Sequence, residues 1–111
     1  MVVWWGTRTE CVSAFGRQAR EGDLGLAGER QARRVLEALA ESWIEIQPTE
    51  TVRGGAERLL AVHPLRAADA FQLAAAVEWC QRQTRGAGLV SFDARLREAA
   101  YREGFSLLPS G

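Results

Sequence analysis

Two rhythms alternate along the chain. Short β-branched or aromatic runs are closed by Gly or Pro, and between them lie longer stretches in which apolar residues return every three or four positions. The run at residues 2–5, Val-Val-Trp-Trp ended by Gly6, predicts a buried strand. Residues 7–21 predict a helix, with Thr7 and Glu10 spaced as a capping box and Gly22 closing it. A second helix is expected over residues 24–42, with Val35, Leu36, Leu39 and Ala40 on one side and Arg30, Arg33, Arg34 and Glu37 mostly on the other. Residues 43–46 form a strand stopped at Gln47-Pro48, and Thr49 opens a helix that is weakened at Gly54-Gly55 and reaches Val62. Residues 66–83 make a long helix, apolar nearly all round; residues 89–92 a strand; residues 93–103 a helix ended by Gly104; and residues 105–108 a last strand before Pro109.

Strands alternating with helices predict an α/β fold, a three-layer α/β/α sandwich with a parallel sheet, formed by one domain over residues 1–111. No internal repeat, low-complexity tract or linker interrupts it. In open α/β sheets ligands sit at the carboxyl ends of the strands, which directs attention to the strand-to-helix junctions.

Composition narrows the chemistry. The chain is 47% hydrophobic and 25% charged, and its 14 basic and 14 acidic residues cancel to a formal net charge of zero. All the basic residues are arginine. Without lysine, a phosphate-binding loop ending in Gly-Lys-[Ser/Thr], a Schiff-base enzyme and a kinase-type lysine are excluded. Cys11 and Cys80 lie inside helical patterns with no Cys-x-x-Cys and one histidine, so neither a zinc site nor a disulfide framework is expected. No apolar run has the length of a membrane span or signal peptide, and a reduced, cytoplasmic setting is the expectation. Zero net charge argues against bulk attraction to nucleic acid while leaving room for a local site where arginines meet phosphates.

Three acids stand out. Asp69 is the one charge between Arg66 and Glu78 in a segment otherwise suited to burial, and a buried carboxylate is costly unless paired, hydrogen-bonded or metal-bound. If its helix starts at Pro64 it lies too deep to serve as a cap; if the helix starts at Ala68 it answers the first-turn amides and the macrodipole. Asp93 directly follows the strand at residues 89–92 and opens a helix, a position shared by active-site acids and by ordinary N-caps. Glu10 also lies just past a strand, where the capping box accounts for it. Together they would converge on one sheet edge, and converging carboxylates are relieved by a divalent cation such as Mg²⁺ or Mn²⁺, which can activate water and offset phosphodiester charge. Arg8, Arg66, Arg95 and Arg97 lie near these acids in sequence and could contact phosphates, although each also fits a solvated helix face. His63, before Pro64, has no nucleophile at a recognisable spacing and suggests a structural or surface role. Cys11 suggests core packing, and Trp4, Trp5, Trp43 and Trp79 suggest core or interface residues.

Three segments then resemble a known family. Thr7-Arg8-Thr9-Glu10-Cys11-Val12-Ser13-Ala14 follows a Val-Val-Trp-Trp strand; Leu65-Arg66-Ala67-Ala68-Asp69-Ala70-Phe71-Gln72-Leu73-Ala74-Ala75 opens the long helix; and Val90-Ser91-Phe92-Asp93-Ala94-Arg95-Leu96 leads to Glu103-Gly104-Phe105-Ser106-Leu107-Leu108-Pro109. In this order, with the acids 59 and 24 residues apart, they resemble the PIN domain family, and within it the VapC-type toxins. The resemblance runs along essentially the entire chain. It implies a ribonuclease dependent on Mg²⁺ or Mn²⁺, restrained by a cognate antitoxin and commonly a homodimer, with Glu10, Asp69 and Asp93 as metal-binding acids. PIN domains open with a central strand ending in aspartate and then a helix. This chain begins at what corresponds to the second strand, so the first strand and helix, roughly 20 residues, are expected to be missing. Asp23, beyond the first helix, cannot replace the absent acid.

Two readings of different class follow: a metal-dependent endoribonuclease, or a catalytically inactive, truncated PIN fold persisting as a binding module, for example for an antitoxin. A receiver-like phosphoacceptor domain fits the layer order and lacks the lysine such domains use.

Overall fold

The computed structural model describes residues 1–110. Their backbone contacts gather in two units, Met1–Glu45 and Ile46–Gly111. Among the described residues there are five helices and four three-residue strands, and the strands pair two by two. The class is mixed α/β, as the alternating pattern predicts.

In the first unit, the apolar run at the N-terminus makes β1 (Val2–Trp4), which neighbours β2 (Ile44–Ile46). The Ile44 amide donates to the Met1 carbonyl at 2.9 Å. Between them lie α1 (Thr7–Arg20) and α2 (Leu26–Ala40), packed on each other. Trp4 is buried, and its ring crosses that of Trp5 edge to face, with centroids 6.3 Å apart and planes at 72°. Gly6 is required beside it, because a Cβ there would meet the Trp4 Nε1 at 2.6 Å. Gly6 is consequently the N-cap of α1, and Thr7 is its first helical residue rather than the cap of a capping box.

In the second unit, Thr49 caps α3 (Glu50–Val62) by accepting the Val52 amide. The Gly54-Gly55 pair leaves that helix unbroken. Gly55 instead faces α4 (Ala67–Trp79), where an added Cβ would stand 3.5 Å from that of Ala74. Small residues along this contact, including Ala56, Ala70, Ala74 and Ala75, let the two helices approach closely around the fully buried Leu59 and Leu73. The apolar pattern predicts α4 out to residue 83, yet it ends at Trp79. Gln81 and Arg82 take left-handed φ of 51° and 68°, and the Arg82 amide closes back on the Val77 carbonyl at 3.0 Å.

Strand β3 (Gly88–Val90) then pairs in parallel with β4 (Ser106–Leu108), matching Leu89 to Leu107 and Val90 to Leu108. Parallel neighbours need a crossover, supplied by α5 (Ala94–Arg102). It packs on β4 and α4 and buries Leu96, Ala99 and Ala100 at helical spacing. Gly104, at φ +100°, turns the chain into β4 where a Cβ would meet the Thr84 Oγ1 at 2.5 Å.

Candidate functional site

The carboxyl end of β3 leads into the start of α5. After Val90 the chain leaves the sheet through Ser91 and Phe92, and Asp93 is the N-cap of α5. Its Oδ1 accepts the Leu96 amide at 2.9 Å, while its own amide donates to the Ser91 Oγ at 3.1 Å. Capping of this kind satisfies one of the helix's orphan amides and places negative charge at the positive end of its dipole. It occupies one carboxylate oxygen of an exposed residue.

Asp69 is held differently. Helix α4 begins at Ala67 after the N-cap Arg66, so Asp69 is its third residue and lies in the first turn. The observed start is one residue before Ala68 and well after Pro64, so the account of Asp69 as a helix-start acid answering the first-turn amides and the macrodipole stands. Asp69 is half-buried, and among the described residues its side chain makes no hydrogen bond or ion pair.

Glu10, the fourth residue of α1, belongs to the first unit and is half-buried. Burial, and secondarily the negative charge of Glu10, push the neighbouring Cys11 thiol up from its ordinary pKa. Cys11 is therefore a protonated packing group at neutral pH rather than a thiolate nucleophile.

By donor chemistry, carboxylate oxygens suit a hard cation such as Mg²⁺ or Mn²⁺. As they stand, no three His, Cys, Asp or Glu side chains among the described residues form a group that could hold a metal ion.

Of the arginines near the acids, Arg8, Arg66 and Arg95 are exposed, and their side chains make no hydrogen bond or ion pair among the described residues. Arg97 is not a free phosphate contact. Its Nη1 donates to the carbonyls of Ser91 at 2.9 Å and Leu108 at 3.3 Å, and its Nη2 donates to that of Pro109 at 2.9 Å. The sequence contained one signal for this role, the four-residue spacing of Arg97 from the capping Asp93; its acceptors, 11 and 12 residues downstream, could not be foreseen.

His63 has the structural role rather than the surface one. It is the C-cap residue of α3, buried to 6% exposure, and its Nε2 lies 2.8 Å from the Glu103 Oε2. Glu103 in turn accepts the Thr84 hydroxyl on its carbonyl. This pairing ties the α3–α4 link to the end of α5. A groove of about 280 Å³ runs alongside, between Val62, His63 and Pro64 and the Ala94, Glu98 and Ala99 face of α5; none of Glu10, Asp69 and Asp93 lines it.

Comparison of the chain with protein-family models, with curated proteins and with solved structures finds no match in any of the three.

Proposed function

We propose that the chain is a PIN-type endoribonuclease of the VapC toxin class, with Glu10, Asp69 and Asp93 as its acids and a three-layer α/β/α arrangement behind them. Asp69 is the observation that carries this reading. Its half-buried side chain, in the first turn of α4, makes no hydrogen bond or ion pair among the described residues, so both carboxylate oxygens are open to a ligand. Asp93, at the carboxyl end of a parallel strand, adds a second acid with one oxygen still unengaged. These residues would hold Mg²⁺ or Mn²⁺, which when bound supplies activation of water and charge compensation on the phosphodiester. Arg66 and Arg95, exposed beside the two acids in sequence, would bind backbone phosphates of the RNA. A cognate antitoxin and a second copy of the chain are the proposed protein partners, and the cytoplasm the proposed location.

The test is RNA cleavage by the purified chain with Mn²⁺ and with EDTA. Cleavage is expected with metal alone, and Asp69→Asn is expected to lower it at least about a hundredfold with an unchanged circular dichroism spectrum. Cleavage that persists in EDTA overturns the reading.

A second reading, a non-catalytic binding module, is favoured by the exposed apolar residues at the same junction. Phe92 is 86% exposed and Val90 68%, unusual for a parallel strand and its exit unless another molecule covers them. Saturable Mn²⁺ binding in calorimetry, lost in Asp93→Asn, separates the two, since a module of this kind has no need of the cation.

A further inference from the structure

We propose that Arg97 is the positioning residue of the Asp93 junction, fixing where its carboxylate points relative to the strand ends. The Arg97 guanidinium donates to three acceptors on three residues. Nη1 of the guanidinium holds the carbonyl of Ser91, just past β3, and that of Leu108, the last residue of β4; Nη2 holds that of Pro109. The two chain segments are already joined there by the Ser91 amide on the Leu108 carbonyl at 3.1 Å. Hydrogen bonds from an ionised donor are stronger than neutral ones, and the rigid planar fork of arginine can serve several acceptors in fixed directions.

Ser91 carries the effect to Asp93. Its carbonyl is held by Arg97, and its Oγ accepts the Asp93 amide. The Asp93 carbonyl accepts the Arg97 amide at 2.9 Å, and the Asp93 Oδ1 accepts the Leu96 amide. Ser91, Asp93 and Arg97 thus form a closed loop of hydrogen bonds in which the backbone amide, the backbone carbonyl and one carboxylate oxygen of Asp93 are all engaged. What is left over is the second carboxylate oxygen, whose direction is set by the loop. A helix-surface arginine needs no such arrangement; an acid that must meet a ligand at a set place does.

The functional part of this inference rests on reading Asp93 as a site acid; the structural part does not, and the experiment separates them. Amide exchange in the full chain, followed by NMR, is compared between the parent and Arg97→Met, Arg97→Lys and Ser91→Ala, together with RNA cleavage. Arg97→Met is expected to speed exchange of the Leu96 amide about tenfold while the Leu59 and Leu73 amides of the core keep their rates, with Arg97→Lys restoring only part of the protection. Should Arg97→Met fail to fold, Ser91→Ala loosens the same loop from the other side and is expected to expose the same amide. In cleavage, kcat is expected to fall about tenfold or more with KM little changed. Unchanged Leu96 protection, or losses spread equally over Leu59 and Leu73, overturns the positioning role. If Asp93→Asn abolishes cleavage while Arg97→Met leaves kcat at the parent value, positioning is overturned and the ribonuclease reading stands. If Asp93→Asn cleaves as the parent does, the ribonuclease reading fails, and the Leu96 exchange rate decides for Arg97 by itself.

Discussion

Asp69 and Asp93 occupy nearly the same local position, the start of a helix, and are used in opposite ways. The Asp93 side chain accepts the Leu96 amide, so alanine there removes a cap whose usual worth is about 1 kcal/mol. The Asp69 side chain accepts nothing among the described residues, so Asp69→Asn removes only a first-turn charge worth about 0.3–1 kcal/mol, and a larger loss of activity reports on function. Cys11 gives a prediction at the same scale. Its thiol is pushed up by burial and by Glu10, so at pH 8 a smaller fraction is thiolate than in an unstructured peptide. Alkylation by iodoacetamide is expected to be slower than that of a Cys-containing peptide at pH 8, with the rate climbing at a higher pH than the peptide's does. A rate matching the peptide's at every pH contradicts the assignment.

Among the elements, boundaries show where local chemistry prevails and where it yields. The α3 cap at Thr49 and the α5 cap at Asp93 follow directly from residue type. The end of α4 does not. No Gly or Pro marks it, and Gln81 and Arg82 adopt positive φ in succession, a conformation that costs an L-residue about 1–2 kcal/mol. Arg82→Gly removes that cost at one position, against glycine's larger loss of backbone entropy, and Arg82 is exposed with no side-chain partner to lose among the described residues. The variant is expected to be more stable by about 0.5–1 kcal/mol in urea denaturation. A loss of stability would mean that the turn is not strained. Gly54 and Gly55 give the converse lesson: helix propensity alone predicts a weak point, and packing of Gly55 against Ala74 overrides it.

For the molecule as a whole, burial is unevenly shared. Among the described residues, Trp4 and Leu36 are the buried apolar side chains of Met1–Glu45, whereas Ile46–Gly111 buries Val52, Leu59, Leu73, Leu96, Phe105 and several alanines. Since local opening is cheapest where few apolar side chains are sequestered, amides of α1 and α2 are expected to exchange at least about tenfold faster than those of α3 and α4. Equal protection would show one cooperative unit instead.

By itself, the sequence determined every helix and strand to within a few residues, the mixed α/β class and the exclusion of lysine chemistry, and it singled out Glu10, Asp69 and Asp93 as the acids to mutate. Those properties depend on periodicity, caps and side-chain type, which act over one or two turns. Only the tertiary structure decided the pairing of β3 with β4, the burial of His63 against Glu103 across 40 residues, and the capture of Arg97 by carbonyls at the strand ends. These partners are distant in sequence, so no local pattern encodes them. An arginine on a helix face looks the same whether water, a phosphate or a backbone carbonyl receives its protons, and which one does depends on what the fold brings within 3 Å of it.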